Sequence, residues 1–179
     1  MSIRISGGEF KGRTIKTLPG MATRPTTARV REAIFSILQH DLDGADVLDL
    51  FSGSGALAIE AISRGVSSAV MVEKNNKAAG VIKQNLETVG ISPRLLVCDY
   101  KKALQILDDE GISFDLIFAD PPYALISPDE LVNELAKFSL VKAGAMLIME
   151  HAGTVLPEDN RVIKTRRFGD SAISLFRYE

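Results

Sequence analysis

Three observations predict a doubly wound α/β domain built on a mostly parallel sheet of seven strands. Short apolar runs recur between residues 46 and 150, segments with helical spacing separate them, and two of those segments close on glycines, Gly65 and Gly90. The runs are apolar on both faces, as strands covered by helices on each side require.

The elements follow in order. Residues 1–20 alternate weakly through Ile3, Ile5, Phe10 and Ile15 and contain Gly7-Gly8, Gly12 and Pro19-Gly20, which reads as a small hairpin and a loop. Thr26 or Thr27 caps a helix to about Gln39, with Val30, Ile34, Ile37 and Leu38 at helical spacing. Strands are expected at Val47–Phe51, Ala69–Glu73, Arg94–Cys98, Phe114–Ala119 and Ala145–Glu150. Helices are expected at Ala56–Arg64, Asn76–Val89, Lys101–Asp109 and Pro128–Phe138. Two alternating runs, Arg161–Phe168 and Ala172–Arg177, form a terminal antiparallel hairpin, with a turn of a few residues around Gly169-Asp170. Such a hairpin beside a parallel sheet marks the methyltransferase variant of this architecture rather than the dehydrogenase one.

The 179 residues suit one domain, divided here into a basic hairpin at 1–22 and a main domain at 23–179. No apolar stretch is long enough to span a membrane. Met1-Ser2-Ile3-Arg4 does not open a signal peptide, and the single cysteine, Cys98, permits neither an intrachain disulfide nor a cysteine zinc cluster. The expected compartment is the cytoplasm, and no membrane or metal is expected. The net charge of −2 hides an asymmetry: residues 1–31 carry seven basic groups and one acid, and the remainder is −8. That fits a polyanionic partner, and on charge alone it fits a merely solvated basic arm as well.

In doubly wound sheets, ligands bind beyond the carboxyl ends of the strands. Those ends carry Asp49-Leu-Phe-Ser52-Gly53-Ser-Gly55, Glu73, Asp99 and Asp120-Pro121-Pro122-Tyr123. Gly53 and Gly55 let the backbone approach a ligand. Gly53-x-Gly55-x-x-Ala58 also satisfies the dinucleotide fingerprint, with Glu73 near ribose spacing, so an NAD-binding oxidoreductase is a competing reading. Asp49 favours S-adenosylmethionine, because a carboxylate there repels a pyrophosphate and suits an ammonium. Glu73 then accepts from ribose hydroxyls and Asp99 from the adenine amine. Taken singly, each acid is equally well a helix cap or an edge charge.

The two prolines after Asp120 fix φ, remove two amide donors and keep Asp120 out of the helical region. An exocyclic amine on a base is a poor nucleophile, since its lone pair is delocalised into the ring. The Asp120 carboxylate and the Pro121 carbonyl can accept its two hydrogens, favour a tetrahedral nitrogen and aim the lone pair. Tyr123 and Pro122 offer a face for the base, and stacking of this kind is worth roughly 1–3 kcal/mol. A methyl sulfonium is already electrophilic, so the chemistry calls for no metal. Either Asp120 or solvent takes the departing proton. Alone, a Pro-Pro turn beside an aromatic is common; at the end of strand four, after a glycine loop at strand one, it points to amine methylation.

Four blocks carry a family resemblance: Ile5–Arg13, Arg24–Phe35, Asp49–Leu57 with Glu60-Ala61 and Ser63–Gly65, and Asp120–Tyr123. The chain resembles the bacterial RsmD-type methyltransferases of small-subunit ribosomal RNA over almost its whole length. The resemblance implies a Rossmann-like methyltransferase fold, S-adenosylmethionine as cofactor and N2 of a guanine in 16S rRNA as target, within a small subunit or an assembly intermediate. By position it implies that Asp49, Ser52, Gly53, Gly55, Glu73 and Asp99 line the cofactor and that Asp120, Pro121, Pro122 and Tyr123 hold the guanine. Ala58 stands where many relatives have glycine, which touches helix packing rather than the cofactor. Lys11, Arg13, Arg24 and Arg29 are candidate RNA contacts. Arg24-Pro25-Thr26 reads equally as part of a lid over the cofactor. Arg29 and Arg31 lie about 200° apart on a helix, so one of them is structural and pairs with Glu32 or another acid. Cys98, Met146 and Met149 read as core, and His40 as a helix-end cation. His151 follows the fifth strand and could face the substrate side. Three alternatives remain at this point: the same chemistry on N6 of adenine or N4 of cytosine, an NAD-binding oxidoreductase, and a non-catalytic rRNA-binding assembly factor.

Overall fold

The structure is a computed structural model that describes residues 2–18, 28–122 and 124–179. Two short strands, β1 (Ser2–Arg4) and β2 (Thr14–Lys16), pair antiparallel as the N-terminal hairpin. Then follow α1 (Ala28–Ile37), β3 (Asp46–Asp49), α2 (Ala56–Ser63), β4 (Ser68–Val72), α3 (Asn76–Val89), β5 (Arg94–Leu96), α4 (Tyr100–Asp109), β6 (Phe114–Ala119), α5 (Pro128–Leu135), β7 (Val141–Ala152), β8 (Val162–Phe168) and β9 (Ser171–Arg177). The order in the main sheet is β5-β4-β3-β6-β7-β9-β8, with only β9 antiparallel to its neighbours. The chain moves outward from β3 to β5, then returns to place β6 on the other side of β3. The switch point of the topology therefore lies between the ends of β3 and β6, where ligands of such sheets bind.

The apolar runs are buried as their composition demands. Leu48, Leu50, Ile117, Leu147 and Met149 face α4 and α5, whereas Val47, Leu116, Phe118, Met146 and Ile148 face α1. Local chemistry sets the helix ends. Asn75 caps α3 by accepting from the Lys77 and Ala78 amides, and Gly90 closes it in the left-handed region. Ser127 and Glu130 form a capping box on α5.

One turn differs from the sequence expectation. Phe168 pairs with Ser171, so Gly169-Asp170 is a two-residue turn rather than a longer one. Gly169 has φ +63° and Asp170 does not share the positive sign, the type II′ pattern, which needs glycine only at its first position. The predicted cap at Thr26 or Thr27 lies outside the described residues.

The N-terminal hairpin is packed onto α2, β4 and α3. Ile5, Phe10 and Ile15 share a cluster with Ala58 and Ile59 of α2, Met71 of β4 and Ile82 and Leu86 of α3. Each such buried side chain is worth about 1.5–3 kcal/mol. A buried ionic hub reinforces the contact. Glu60 receives the Ser6 amide and hydroxyl, Arg31 at 3.1 Å and Arg64 at 2.8 Å. Arg31 is thus the structural member of the pair Arg29/Arg31, and its partner is Glu60 of α2 rather than the adjacent Glu32, which faces solvent. Burial alone would raise the Glu60 carboxyl, but the Ser6 and Arg64 hydrogen bonds, with the Ser6 amide and Arg31, hold it below its ordinary value.

Candidate active site

β3 ends at Asp49, and its carboxylate is 1 % exposed. Among the described residues, neither carboxylate oxygen has a hydrogen-bond partner. Burial pushes its pKa up to about 7, against the lowering influence of the nearby Ser52 hydroxyl and the Ala58 and Phe51 amides; Glu73 adds a little to the rise. A buried acid without a donor is costly unless something cationic arrives to pair with it.

The loop after Asp49 is held from several sides. The Ser52 hydroxyl donates to the Asp49 carbonyl at 2.9 Å and accepts the Val72 amide at 3.2 Å. Gly53, at φ +55°, donates its amide to Glu73 Oε2 at 2.8 Å, and among the described residues no atom would meet a Cβ there. Gly55 differs: at φ +81° a Cβ would lie 2.6 Å from the Met71 methyl. Its glycine serves the core and the start of α2, whereas Gly53 faces open space. Glu73 lies at the end of β4 and also accepts the Asn75 amide at 2.7 Å. Asp99 caps α4 by accepting the Lys101 amide at 3.1 Å, and its other oxygen meets Lys74 at 3.3 Å. The capping role considered for Asp99 is therefore present, and its carboxylate still edges the site, half-buried.

Across the switch point, Asp120 directly follows β6 and is partly buried. Leu48, Asp49 and β6 residues Ile117 and Phe118 are in register, so Asp49 and Asp120 stand at the ends of adjacent parallel strands. Pro121 is buried and Pro122 exposed, with no cis peptide among the described residues. The Pro122 carbonyl is spent on the Leu125 amide at 2.8 Å, whereas among the described residues no amide donates to the Pro121 carbonyl. Tyr123 lies outside the described residues. A cavity of about 330 Å³ opens just beyond, lined by Leu125, Ser127, Glu130, His151 and Val155 among others.

The remaining sequence candidates divide. Lys11 and Arg29 are exposed and pair with no acid among the described residues. Arg13 donates to the Val89 carbonyl at 2.9 Å and lies over the Phe10 ring, so part of its guanidinium anchors the hairpin. Arg24 falls outside the described residues. Cys98 is half-buried, and burial pushes its thiol up, away from nucleophilic use. His151 borders the cavity but is 3 % exposed, and its ring nitrogens meet the Ser174 hydroxyl at 2.8 Å and the Ala152 carbonyl at 3.0 Å. Burial lowers its pKa, which makes it a neutral, fully engaged core group. Asn85 escaped the sequence reading altogether, and Glu60 entered it only within a family block, without its role as the partner of Arg31 and Arg64. Each is a polar residue among apolar neighbours on a helix, and that contrast was the available signal.

The chain is similar in sequence and fold to known proteins. The model of the family described as conserved hypothetical protein 95 matches residues 3–177. "Putative rRNA methyltransferase YlbH" of Bacillus subtilis is 33% identical, over 98% of both chains. Ribosomal RNA small subunit methyltransferase D of Escherichia coli K12 is 32% identical, over 83% of this chain and 74% of its own. Among solved structures, "Putative methyltransferase yhhF" from Escherichia coli superposes with a TM-score of 0.85 at 30% identity, covering 100% of this chain and 99% of that one. The Thermus thermophilus 16S rRNA N2 G1207 methyltransferase RsmC, in complex with AdoMet and guanosine, shares the fold, with a TM-score of 0.76 at 21% identity over 100% of this chain and 50% of its own. Family model, relatives and fold agree: the chain belongs to the conserved hypothetical protein 95 family, that of the RsmD-like methyltransferases, and has the fold of S-adenosylmethionine-dependent methyltransferases.

Proposed function

We propose that the protein methylates the exocyclic N2 amine of a guanine in 16S rRNA, with S-adenosylmethionine as donor and a small subunit or assembly intermediate as substrate. One observation carries this reading: the buried, unpartnered Asp49 carboxylate and the Asp120-Pro121-Pro122 turn end adjacent strands at the switch point of the sheet.

The residues present fit the cofactor. Asp49 lacks a cation, Gly53 faces open space, and Glu73 and Asp99 edge the same end of the sheet. Asp49 pairs with the ammonium, Ser52, Gly53 and Gly55 shape the loop beside it, Glu73 takes the ribose hydroxyls and Asp99 the adenine amine. The bound cofactor supplies a methyl group on a sulfonium, an electrophile that needs no further activation. The protein's own work is on the amine. Asp120 and the uncommitted Pro121 carbonyl accept its two hydrogens, and this pairing favours a tetrahedral nitrogen with a localised lone pair. Pro122 and Tyr123 give the base a face, and the proton leaves to Asp120 or to water. Residues 1–22 would act as a basic appendage, and Lys11 and Arg13 within it, with Arg24 and Arg29 after it, would meet phosphates.

Nucleoside mass spectrometry of rRNA from cells with the protein, without it, and with Asp120→Ala tests the reading. Loss of one N2-methylguanosine in the last two is expected, while Asp120→Ala still binds cofactor in calorimetry. Loss of N6-methyladenosine or N4-methylcytidine instead would move the reading to that base. Unchanged methylation would leave only an assembly factor, and binding of NAD in place of S-adenosylmethionine would remove the methyltransferase reading.

A further inference from the structure

Asn85 lies on the buried face of α3 and is 1 % exposed. Its side-chain nitrogen donates twice, to the Ser54 carbonyl at 2.8 Å and to the Lys16 carbonyl at 2.9 Å. Its oxygen accepts the Lys16 amide at 2.8 Å. Both amide hydrogens are used, and three backbone groups depend on one side chain. Ser54 lies between Gly53 and Gly55, and Lys16 is the last residue of β2.

The geometry at Lys16 is that of a strand edge. In an antiparallel pair, a residue's N–H and C=O point together, either toward the partner strand or away from it. At Lys16 both meet Asn85, so both point away from β1, and the side-chain amide pairs with β2 as a neighbouring strand would. The other supports of the loop, Ser52 on Val72 and Glu73 on Gly53, come from β4 and its end. Among the described residues, Asn85 is the side chain whose hydrogen bonds join the hairpin to the loop. An asparagine has low helix propensity and is expensive to bury without partners, so a helix interior alone gives no reason for it.

We propose that Asn85 is a positioning residue that couples the Ser52–Gly55 loop to the N-terminal hairpin, so that filling the loop with S-adenosylmethionine orders the hairpin, and the hairpin in turn supports cofactor binding. This rests on the cofactor reading above. The coupling is reciprocal by thermodynamic necessity: what the cofactor does for the hairpin, the hairpin does for cofactor affinity. The hairpin bears Lys11 and Arg13, so the enzyme would present its basic edge to RNA most firmly once charged with methyl donor.

Residue-resolved amide exchange on the intact wild-type protein, with and without saturating S-adenosylhomocysteine, gives the first test. Exchange of the Lys16 amide is expected to slow at least fivefold together with Gly53 and Ser54. Slowing at Gly53 and Ser54 with none at Lys16 overturns the coupling and leaves the cofactor reading intact. Failure of S-adenosylhomocysteine to bind overturns that reading, and this proposal with it. Variants give the second test. Asn85→Ala is expected to weaken S-adenosylhomocysteine about tenfold. Lys16→Pro removes one donor that points away from β1 and is expected to weaken it at least threefold. In both, the KM for cofactor rises while kcat at saturation stays within twofold. A Lys16→Pro protein with wild-type affinity overturns the proposal, because a purely structural Asn85 would act on the loop without the hairpin.

Discussion

Replacing Asp49 with asparagine should make the free protein more stable, and only above acidic pH. The Asp49 carboxyl has an ordinary value of 3.8 and is pushed up to about 7 in the fold, chiefly by burial. A carboxyl raised on folding binds its proton more tightly in the native state, so native stability falls as pH rises between the two values. Below 3.8 both states are protonated and nothing is lost; above 7 the full penalty applies. At about 1.36 kcal/mol per pH unit, the penalty is about 4 kcal/mol. Asparagine resembles the protonated acid in shape and carries no charge, so Asp49→Asn removes most of it. For a domain of this size each kcal/mol moves the melting temperature by roughly 2–4 °C, which predicts a gain of about 10 °C. Calorimetric melts of both proteins without cofactor, from pH 4 to pH 8.5, make the test. The two curves should converge at the acid end and separate steadily toward neutrality. A difference independent of pH, or a less stable variant at pH 8, would refute the account of Asp49 as a buried charge awaiting its partner.

The same carboxyl governs ligand affinity. If the ionised Asp49 receives an ammonium, the Kd for S-adenosylhomocysteine should rise about tenfold per pH unit below 7 and level off above it, as read by calorimetry with correction for buffer protonation. Glu60→Ala leaves Arg31 buried and without its carboxylate, a loss of about 3–5 kcal/mol. Urea denaturation should show it at pH 7, with the gap narrowing below pH 4.5 as the wild-type Glu60 itself protonates through its lowered pKa. Lys11→Ala and Arg29→Ala should weaken RNA binding similarly for all sequences and reduce the salt slope by about 0.7–0.9 for each lost phosphate contact, measured by titration across salt concentrations.

Periodicity made most of this fold readable, because a parallel sheet covered by helices writes its strands as apolar runs and its helices between them. β6 and α3 begin and end where those patterns say. That Asp49, Glu73 and Asp120 stand at strand ends was equally readable, because each directly closes an apolar run. What the sequence conceals is pairing across distance. Arg31 meets Glu60, 29 residues on, and Asn85 meets Lys16 and Ser54, 69 and 31 residues back. Helical spacing could say that Arg29 and Arg31 point apart, but not which one the hairpin would bury. The Gly169-Asp170 turn was misjudged for a related reason. Its type depends on which residue takes the positive φ, and that choice is made by the twist of the strands it joins.

Asp49 and Glu60 show why these two kinds of information differ. Both are acids buried on neighbouring elements of the same half of the domain. Glu60 is surrounded by two guanidinium groups and Ser6, and its pKa falls; Asp49 has no hydrogen-bond partner among the described residues, and its pKa climbs to about 7. A folded chain can satisfy an acid in that position, as Glu60 proves a few residues away. Leaving Asp49 unsatisfied therefore lowers the stability of the free protein in favour of whatever cation completes it. Stability and ligand affinity should then move in opposite directions at this residue, whereas at Glu60 stability should fall with affinity unchanged. Melting and calorimetry on the pair Asp49→Asn and Glu60→Gln can separate the two roles. Loss of affinity with a gain of stability in the first, and loss of stability with affinity retained in the surviving folded protein in the second, is the pattern that a ligand-reserved acid beside a structural one requires.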